Sequence, residues 1–238
     1  MTTRIAMWSG PRNLSTALLY SFAARGDCAV WDEPFYAAYL RLTGIDHPMR
    51  EEIIGAHDAD PASVAAACAA DRPEPLCYQK HMTLHMVPGV PRDWMARATN
   101  VFLIRHPARV VASYARKREA PILDDLGFRA QAELFDEVAS WLGHPPPVVS
   151  AEAIREDPRA ALTRLCEALR IPFTERMLAW PPGPKPYDGA WAPHWYNAVH
   201  ASTGFDAAEG ALPDLPPAYA RLADQGMPHY ERLLAQAL

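Results

Sequence analysis

Five short segments with the hydrophobic pattern of strands, near residues 4–8, 28–31, 76–80, 100–104 and 147–150, recur along the chain, and segments of helical character separate them. Those helical segments fall near 14–24, 35–43, 49–56, 61–70, 91–98, 107–118, 124–143 and 158–170. Strands alternating with helices predict an α/β fold, a doubly wound, mostly parallel sheet of about five strands covered on both faces. Val101-Phe102-Leu103-Ile104 is continuous enough for a strand buried on both sides. In the segment that follows, Val110, Val111 and Tyr114 supply an apolar face. Asp157-Pro158 opens the 158–170 helix as cap and first residue, with Leu162, Leu165, Cys166 and Leu169 as its inward stripe. Residues 180–205 are rich in Pro, Gly and aromatics with little periodicity, and are expected to form an ordered loop or lid on a single domain spanning 1–238.

Composition narrows the function classes. Half of the 238 residues are hydrophobic, enough for a substantial core. The formal charge of −5 gives no reason to expect nucleic acid as a partner, so any basic site must be local. Met1-Thr2-Thr3-Arg4 leads into the first strand with no signal-peptide pattern, and no apolar run approaches a membrane span, so no membrane partner and a cytoplasmic location are expected. Cys28, Cys68, Cys77 and Cys166 lack the paired spacing of a zinc site and are expected as small buried hydrophobes. Asp188, His194 and His200 show no metal-ligand pattern, and no metal requirement is expected. Homo-oligomers stay open.

Two segments carry the chemistry, each where a strand runs into a helix. Ser9-Gly10-Pro11-Arg12-Asn13-Leu14-Ser15-Thr16 follows the run Ile5-Ala6-Met7-Trp8 and precedes Ala17–Ala23. A helix start offers unpaired N–H groups and the positive end of the peptide dipole to an anion. Arg12 adds a permanent charge, and the Ser15 and Thr16 hydroxyls add donors. The loop lacks the Gly-Lys pair of a Walker A motif, which argues against an ordinary ATP or GTP hydrolase. Asp32 and Glu33, closing the strand from Cys28, nevertheless resemble a magnesium-holding Walker B end. In the second segment, Arg105-His106-Pro107, the arginine sits at a strand's carboxyl end, with Ser113 eight residues on. Both reach one phosphate if the helix packs back along its strand, as a right-handed strand-helix-strand unit does.

Pro-Arg-x-x-Ser-Thr after the first strand, then Arg-x-Pro with the later serine, resembles the sulfotransferases that use 3′-phosphoadenosine 5′-phosphosulfate (PAPS). The likeness runs from the first strand to about Phe205 and implies a P-loop-like sulfotransferase fold. It implies that Arg12, Asn13, Ser15 and Thr16 bind the 5′-phosphosulfate end, and Arg105 and Ser113 the 3′-phosphate. Lys185, Gly189 and Trp191 occupy the place of a second stretch that lies against the 3′-phosphate and adenine. The Trp8–Thr16 segment, Asp32-Glu33-Pro34, Gly183–Pro186 and Trp191-Ala192-Pro193 resemble a subfamily that includes the non-aminotransferase half of plant branched-chain-aminotransferase-like proteins. The loop departs from the cytosolic enzymes in having Arg12 for lysine and Leu14 for glycine.

The resemblance implies transfer of a sulfuryl group from PAPS to a hydroxyl or amine of a small acceptor, leaving 3′-phosphoadenosine 5′-phosphate (PAP). Catalysis would rest on positioning, on cationic stabilisation of the leaving oxygen by Arg12, and on a base. Glu33, held before Pro34 in an expected extended backbone, is the first candidate base. His81, adjacent to Lys80 where the cytosolic enzymes have Lys-x-His, is its rival, with the better unperturbed pKa, and His85 is a weaker one. Phe35, Tyr36 and Tyr39 line an acceptor pocket or pack a helix. Two alternatives remain: a kinase or NTPase using Asp32 and Glu33 with magnesium, and a nucleotide-binding protein without turnover.

Overall fold

In the computed structural model, which describes residues 2–118 and 120–238, the five segments become β1 (Thr3–Ser9), β2 (Cys28–Asp32), β3 (Leu76–Met82), β4 (Thr99–Ile104) and β5 (Val148–Ser150). They form one five-stranded parallel sheet in the order β2-β3-β1-β4-β5, flanked by helices. Every residue of β3 and β5 is buried, whereas the edge strand β2 is buried only at its ends. With β1 central, the strand order reverses direction there, the place where open α/β sheets gather ligands beyond the strands' carboxyl ends.

The chain divides into two compact units. The first comprises Met1–Met7, Thr16–Thr99 and Thr174–Gly204. Within it, β2 pairs with β3 in a register that sets Asp32 opposite Lys80. Its core joins Tyr36, Leu40 and Ile53 to Trp191, Ala192 and Tyr196. The stretch expected as a lid is therefore part of this core, built from the short helices Ala192–Trp195 and Asn197–Ala201. Gly189 is required by that packing, because an added Cβ would lie 2.2 Å from the Trp191 ring. Phe35 and Tyr36 are buried, and Tyr36 and Tyr39 stack on His85, so these aromatics pack a helix rather than line an open pocket.

The second unit comprises Trp8–Ser15, Asn100–Phe173 and Phe205–Leu238. Here Val110, Val111 and Tyr114 face Leu126, Phe128, Leu222 and Ala223. The helix Pro107–Ala115 is shorter than the expected 107–118, and the expected 124–143 segment is two helices, Leu123–Leu126 and Phe128–Leu142, parted by Gly127 at φ 73°. The helix Pro158–Ala168 starts as expected, with the Asp157 side chain accepting from the Ala160 N–H. A helix absent from the sequence reading, Pro217–Leu234, closes the unit, and beyond it the Leu238 N–H donates to the Val148 carbonyl. Residues expected as a helix near 91–98 form a 3-10 turn, Asp93–Arg97.

All four cysteines are buried with free thiols. Burial raises the pKa of Cys28 to about 12 and also raises those of Cys68 and Cys77. No helix among the described residues is long and apolar enough to cross a membrane.

Candidate functional site

The turn after β1 is tied down by the elements around it. Gly10 has no room for a side chain, since a Cβ would stand 2.6 Å from the Leu126 carbonyl oxygen. Arg12 and Leu14 both adopt left-handed backbone, with φ 62° and 71°, conformations that cost a non-glycine residue about 1–2 kcal/mol each. The helix Ser15–Ala24 follows directly, and its first N–H groups have no partner within the helix. Asn13 is buried, and its amide donates to the Leu103 carbonyl at 3.3 Å. Its side chain thus secures the loop to β4 rather than facing outward as a phosphate ligand.

Two basic residues and a hydroxyl converge on this turn. Arg12 Nε donates to Ser113 Oγ at 3.0 Å, and Arg105 Nη1 donates to the Arg12 carbonyl at 2.7 Å. Ser113, on the helix Pro107–Ala115, thus lies within reach of the loop's arginine. The other face of Arg105 meets a carboxylate that no spacing argument exposed. Its Nε donates to Glu209 Oε2 at 3.1 Å, and its Nη2 donates to Glu209 Oε1. Arg155 Nη1 lies 3.4 Å from the same carboxylate and Arg109 Nε 3.7 Å. Burial acts to raise the Glu209 pKa, but the surrounding arginines outweigh it and hold it below the ordinary glutamate value.

The first unit holds a buried ionic cluster at the ends of β2 and β3. The β2–β3 register delivers Lys80 to both acids: its Nζ donates to Asp32 Oδ1 at 2.8 Å, Glu33 Oε1 at 2.5 Å and the Tyr196 hydroxyl at 2.7 Å. Tyr196 in turn donates to Asp32 Oδ2 at 2.6 Å and accepts from Trp191 Nε1 at 2.9 Å. Lys80 is only 1% exposed, and the ammonium survives burial because each of its three protons finds an acceptor. Burial opposes the ammonium, yet Asp32 and Glu33 together outweigh it and raise the Lys80 pKa. Burial raises the Glu33 pKa, even against the opposing pull of Lys80. Glu33 departs from the extended backbone expected before Pro34, with φ 40°, a strained value held by the Glu33 N–H to Lys80 carbonyl bond at 2.9 Å. Thr16, the last residue of the predicted loop, hydrogen-bonds Tyr196.

The remaining predicted residues take other places. His81 lies inside β3, not after it, 2% exposed between Phe35 and Trp94, with Nε2 3.2 Å from Gln79 Oε1. Burial lowers its pKa to about 3, the surroundings of a core histidine rather than of a base. His85 Nε2 is 3.9 Å from Glu33 Oε2, and burial holds its pKa well below the ordinary histidine value. Trp191 is buried at 1% exposure against Tyr36 and His57, which leaves no free ring face for adenine stacking. Lys185 Nζ donates to the carbonyls of Pro181, Pro182 and Gly183 at 2.6, 3.2 and 2.9 Å, so its charge closes its own loop. Ser15 stays at the first position of its helix and is buried.

Sequence reasoning missed Lys80 as the hub, Tyr196 as its third partner, and Glu209. Lys80 was legible in principle, because two acids and a lysine at the ends of consecutive strands meet if those strands pair in parallel.

Comparison with known proteins agrees with this architecture. A family model described as a sulfotransferase domain matches residues 3–237. Two Arabidopsis thaliana relatives, branched-chain-amino-acid aminotransferase-like proteins 1 and 2, are 36% and 35% identical over 230 residues, 96% of this chain. The chain spans 41% of the length of each. Among solved structures, the sulfotransferase domain of the Synechococcus PCC 7002 olefin synthase is 18% identical with a TM-score of 0.50, covering 94% of each chain. The sulfotransferase domain from the curacin biosynthetic pathway is 17% identical with a TM-score of 0.47, covering 94% of this chain and 97% of that one. The fold, the loop after β1 and the match over nearly the whole length lead to one assignment: this chain belongs to the sulfotransferase domain family.

Proposed function

We propose that the chain transfers a sulfuryl group from PAPS to a hydroxyl or amine of a small acceptor. The single observation that supports this most is the joining of the loop after β1 to the turn after β4, through Arg12 to Ser113 and Arg105 to the Arg12 carbonyl. In this reading the loop N–H groups and Arg12 take the 5′-phosphosulfate, while Arg105 and Ser113 take the 3′-phosphate. PAPS is consumed as donor and PAP released, and no residue is assigned to a metal.

The acid–base role falls to Glu33. Its raised pKa brings a carboxylate toward the working range of a general base, and Lys80 contacts Asp32 as well as Glu33. When Glu33 takes a proton, Asp32 therefore still neutralises the ammonium, so the buried cluster is not left with an uncompensated cation. The same ammonium stands against a magnesium-dependent kinase reading, because it already occupies the point where the two carboxylates converge.

Titration calorimetry with PAP, and with ATP plus magnesium, tests the nucleotide assignment. PAP binding in the micromolar range without metal supports it, whereas preference for magnesium-ATP overturns it. A labelled-PAPS screen against hydroxyl and amine acceptors then tests turnover. PAP binding with no transfer to any acceptor would leave a binding protein in its place.

A further inference from the structure

We propose that residues 205–216 form a displaceable strap whose Glu209 carboxylate occupies an anion site built by Arg105, Arg109 and Arg155, and that a phosphate monoester takes its place. This rests on the reading above that Arg105 faces the 3′-phosphate of a nucleotide, and adds what fills and regulates that position.

The strap touches the core at its far end, where Leu215 packs against the cluster of Val110, Leu126 and Phe128. It has no helix or strand, and none of its residues is buried. Arginines hold its stretch around Glu209: Arg109 Nη2 donates to the Gly210 carbonyl at 2.5 Å, Arg155 Nε to the Ala207 carbonyl at 3.1 Å, and Arg155 Nη2 to Asp206 at 3.1 Å. Gly210, at φ 66°, lets the backbone reverse beside Glu209, whose side chain is 14% exposed while its neighbours face solvent.

The other carboxylate in the cluster is anchored differently. Glu152 accepts from the His106 N–H at 2.9 Å and from the Ser150 hydroxyl at 2.9 Å, which makes it part of the turn after β4. Among the described residues, the Glu209 carboxylate is held by guanidinium groups. The fit is also incomplete: Arg109 Nε is buried without a hydrogen-bond partner among the described residues, 3.7 Å from Glu209 and 3.9 Å from Glu152. A carboxylate offers one charge and two oxygens, whereas a phosphate monoester brings nearly two charges and three acceptor oxygens, which suits three guanidinium groups with a donor to spare. The strap is thus an internal stand-in that a stronger anion outcompetes.

Hydrogen–deuterium exchange of the full chain, with PAP and with adenosine 5′-phosphosulfate, tests this directly. PAP should speed exchange across 205–216 in the wild type, whereas adenosine 5′-phosphosulfate, lacking the 3′-phosphate, should not. Glu209→Gln should bind PAP about tenfold more tightly, because the competing occupant is removed. Unchanged protection of 205–216 at saturating PAP, or a Glu209→Gln chain that binds PAP no better, would overturn the proposal. The wild-type exchange measurement decides the matter even if the variant does not fold. If PAP binds neither chain, the nucleotide reading fails; release of the strap by inorganic phosphate would then still uphold the strap, and its absence would overturn it.

Discussion

Arg12 Nε lies 3.0 Å from Ser113 Oγ and donates to it, so the loop's cation is aimed by a hydroxyl 101 residues later in the chain. A hydrogen bond to a charged group contributes about 1.5–3 kcal/mol. Ser113→Ala should therefore weaken PAP about tenfold or more while changing adenosine 5′-phosphosulfate by less than about threefold, as read by calorimetry. Equal losses for both nucleotides would show that Ser113 positions Arg12 without meeting the 3′-phosphate.

Leu14 sits at φ 71° where the cytosolic enzymes have glycine, and it is only partly buried. Leu14→Gly relieves the left-handed penalty at little cost in packing. We expect a gain of about 1 kcal/mol in urea unfolding, offset in part by the greater freedom of glycine in the unfolded chain. A loss of stability would mean that the leucine side chain matters more than its backbone strain.

Lys80 compensates two acids in a site closed to water. Lys80→Met should cost about 3–5 kcal/mol, a fall of roughly 10 °C or more in Tm, because the acids are left without their cation. Adding Asp32→Asn to Lys80→Met should recover part of the loss. A Tm for Lys80→Met within a degree or two of the wild type would contradict the cluster.

His81 stays neutral in the folded chain down to about pH 3, from an ordinary value of 6.5. Its folded pKa is depressed, so its contribution is fully present above pH 6.5 and is lost as the unfolded chain takes up the proton at lower pH. By pH 5 the loss is about 2 kcal/mol. His81→Gln should show a shallower fall in unfolding free energy between pH 7 and 5 than the wild type, measured by urea titration at each pH. Parallel curves would place the acid sensitivity elsewhere.

Much of the fold was legible because buried strands such as Ile5–Trp8 and Val101–Ile104 write themselves as apolar runs, and all five strands were placed within a residue or two. The helix Pro217–Leu234 escaped notice because Pro228 lies inside it and Gly226 interrupts its stripe, both helix-weakening residues. Packing overrides propensity there: Gly226 is small because Phe128 sits against it, where an added Cβ would be 2.8 Å from the ring. In the candidate site, Arg105 and Ser113 followed from spacing within one strand-helix unit. The engagement of Arg105 by Glu209 did not, since it joins residues 104 apart through a segment with no pattern of its own. His81 was misplaced by a strand end drawn two residues short, which turned a core position into an apparent rim position.

Each of the four thiols is enclosed, and burial suppresses the reactive thiolate of Cys28, Cys68 and Cys77. Labelling by a water-soluble disulfide reagent must consequently wait for the surrounding structure to open. Cys28, Cys68 and Cys77 belong to the first unit and Cys166 to the second, so mass spectrometry of partially labelled chains would time the breathing of each unit separately, with no engineered probe.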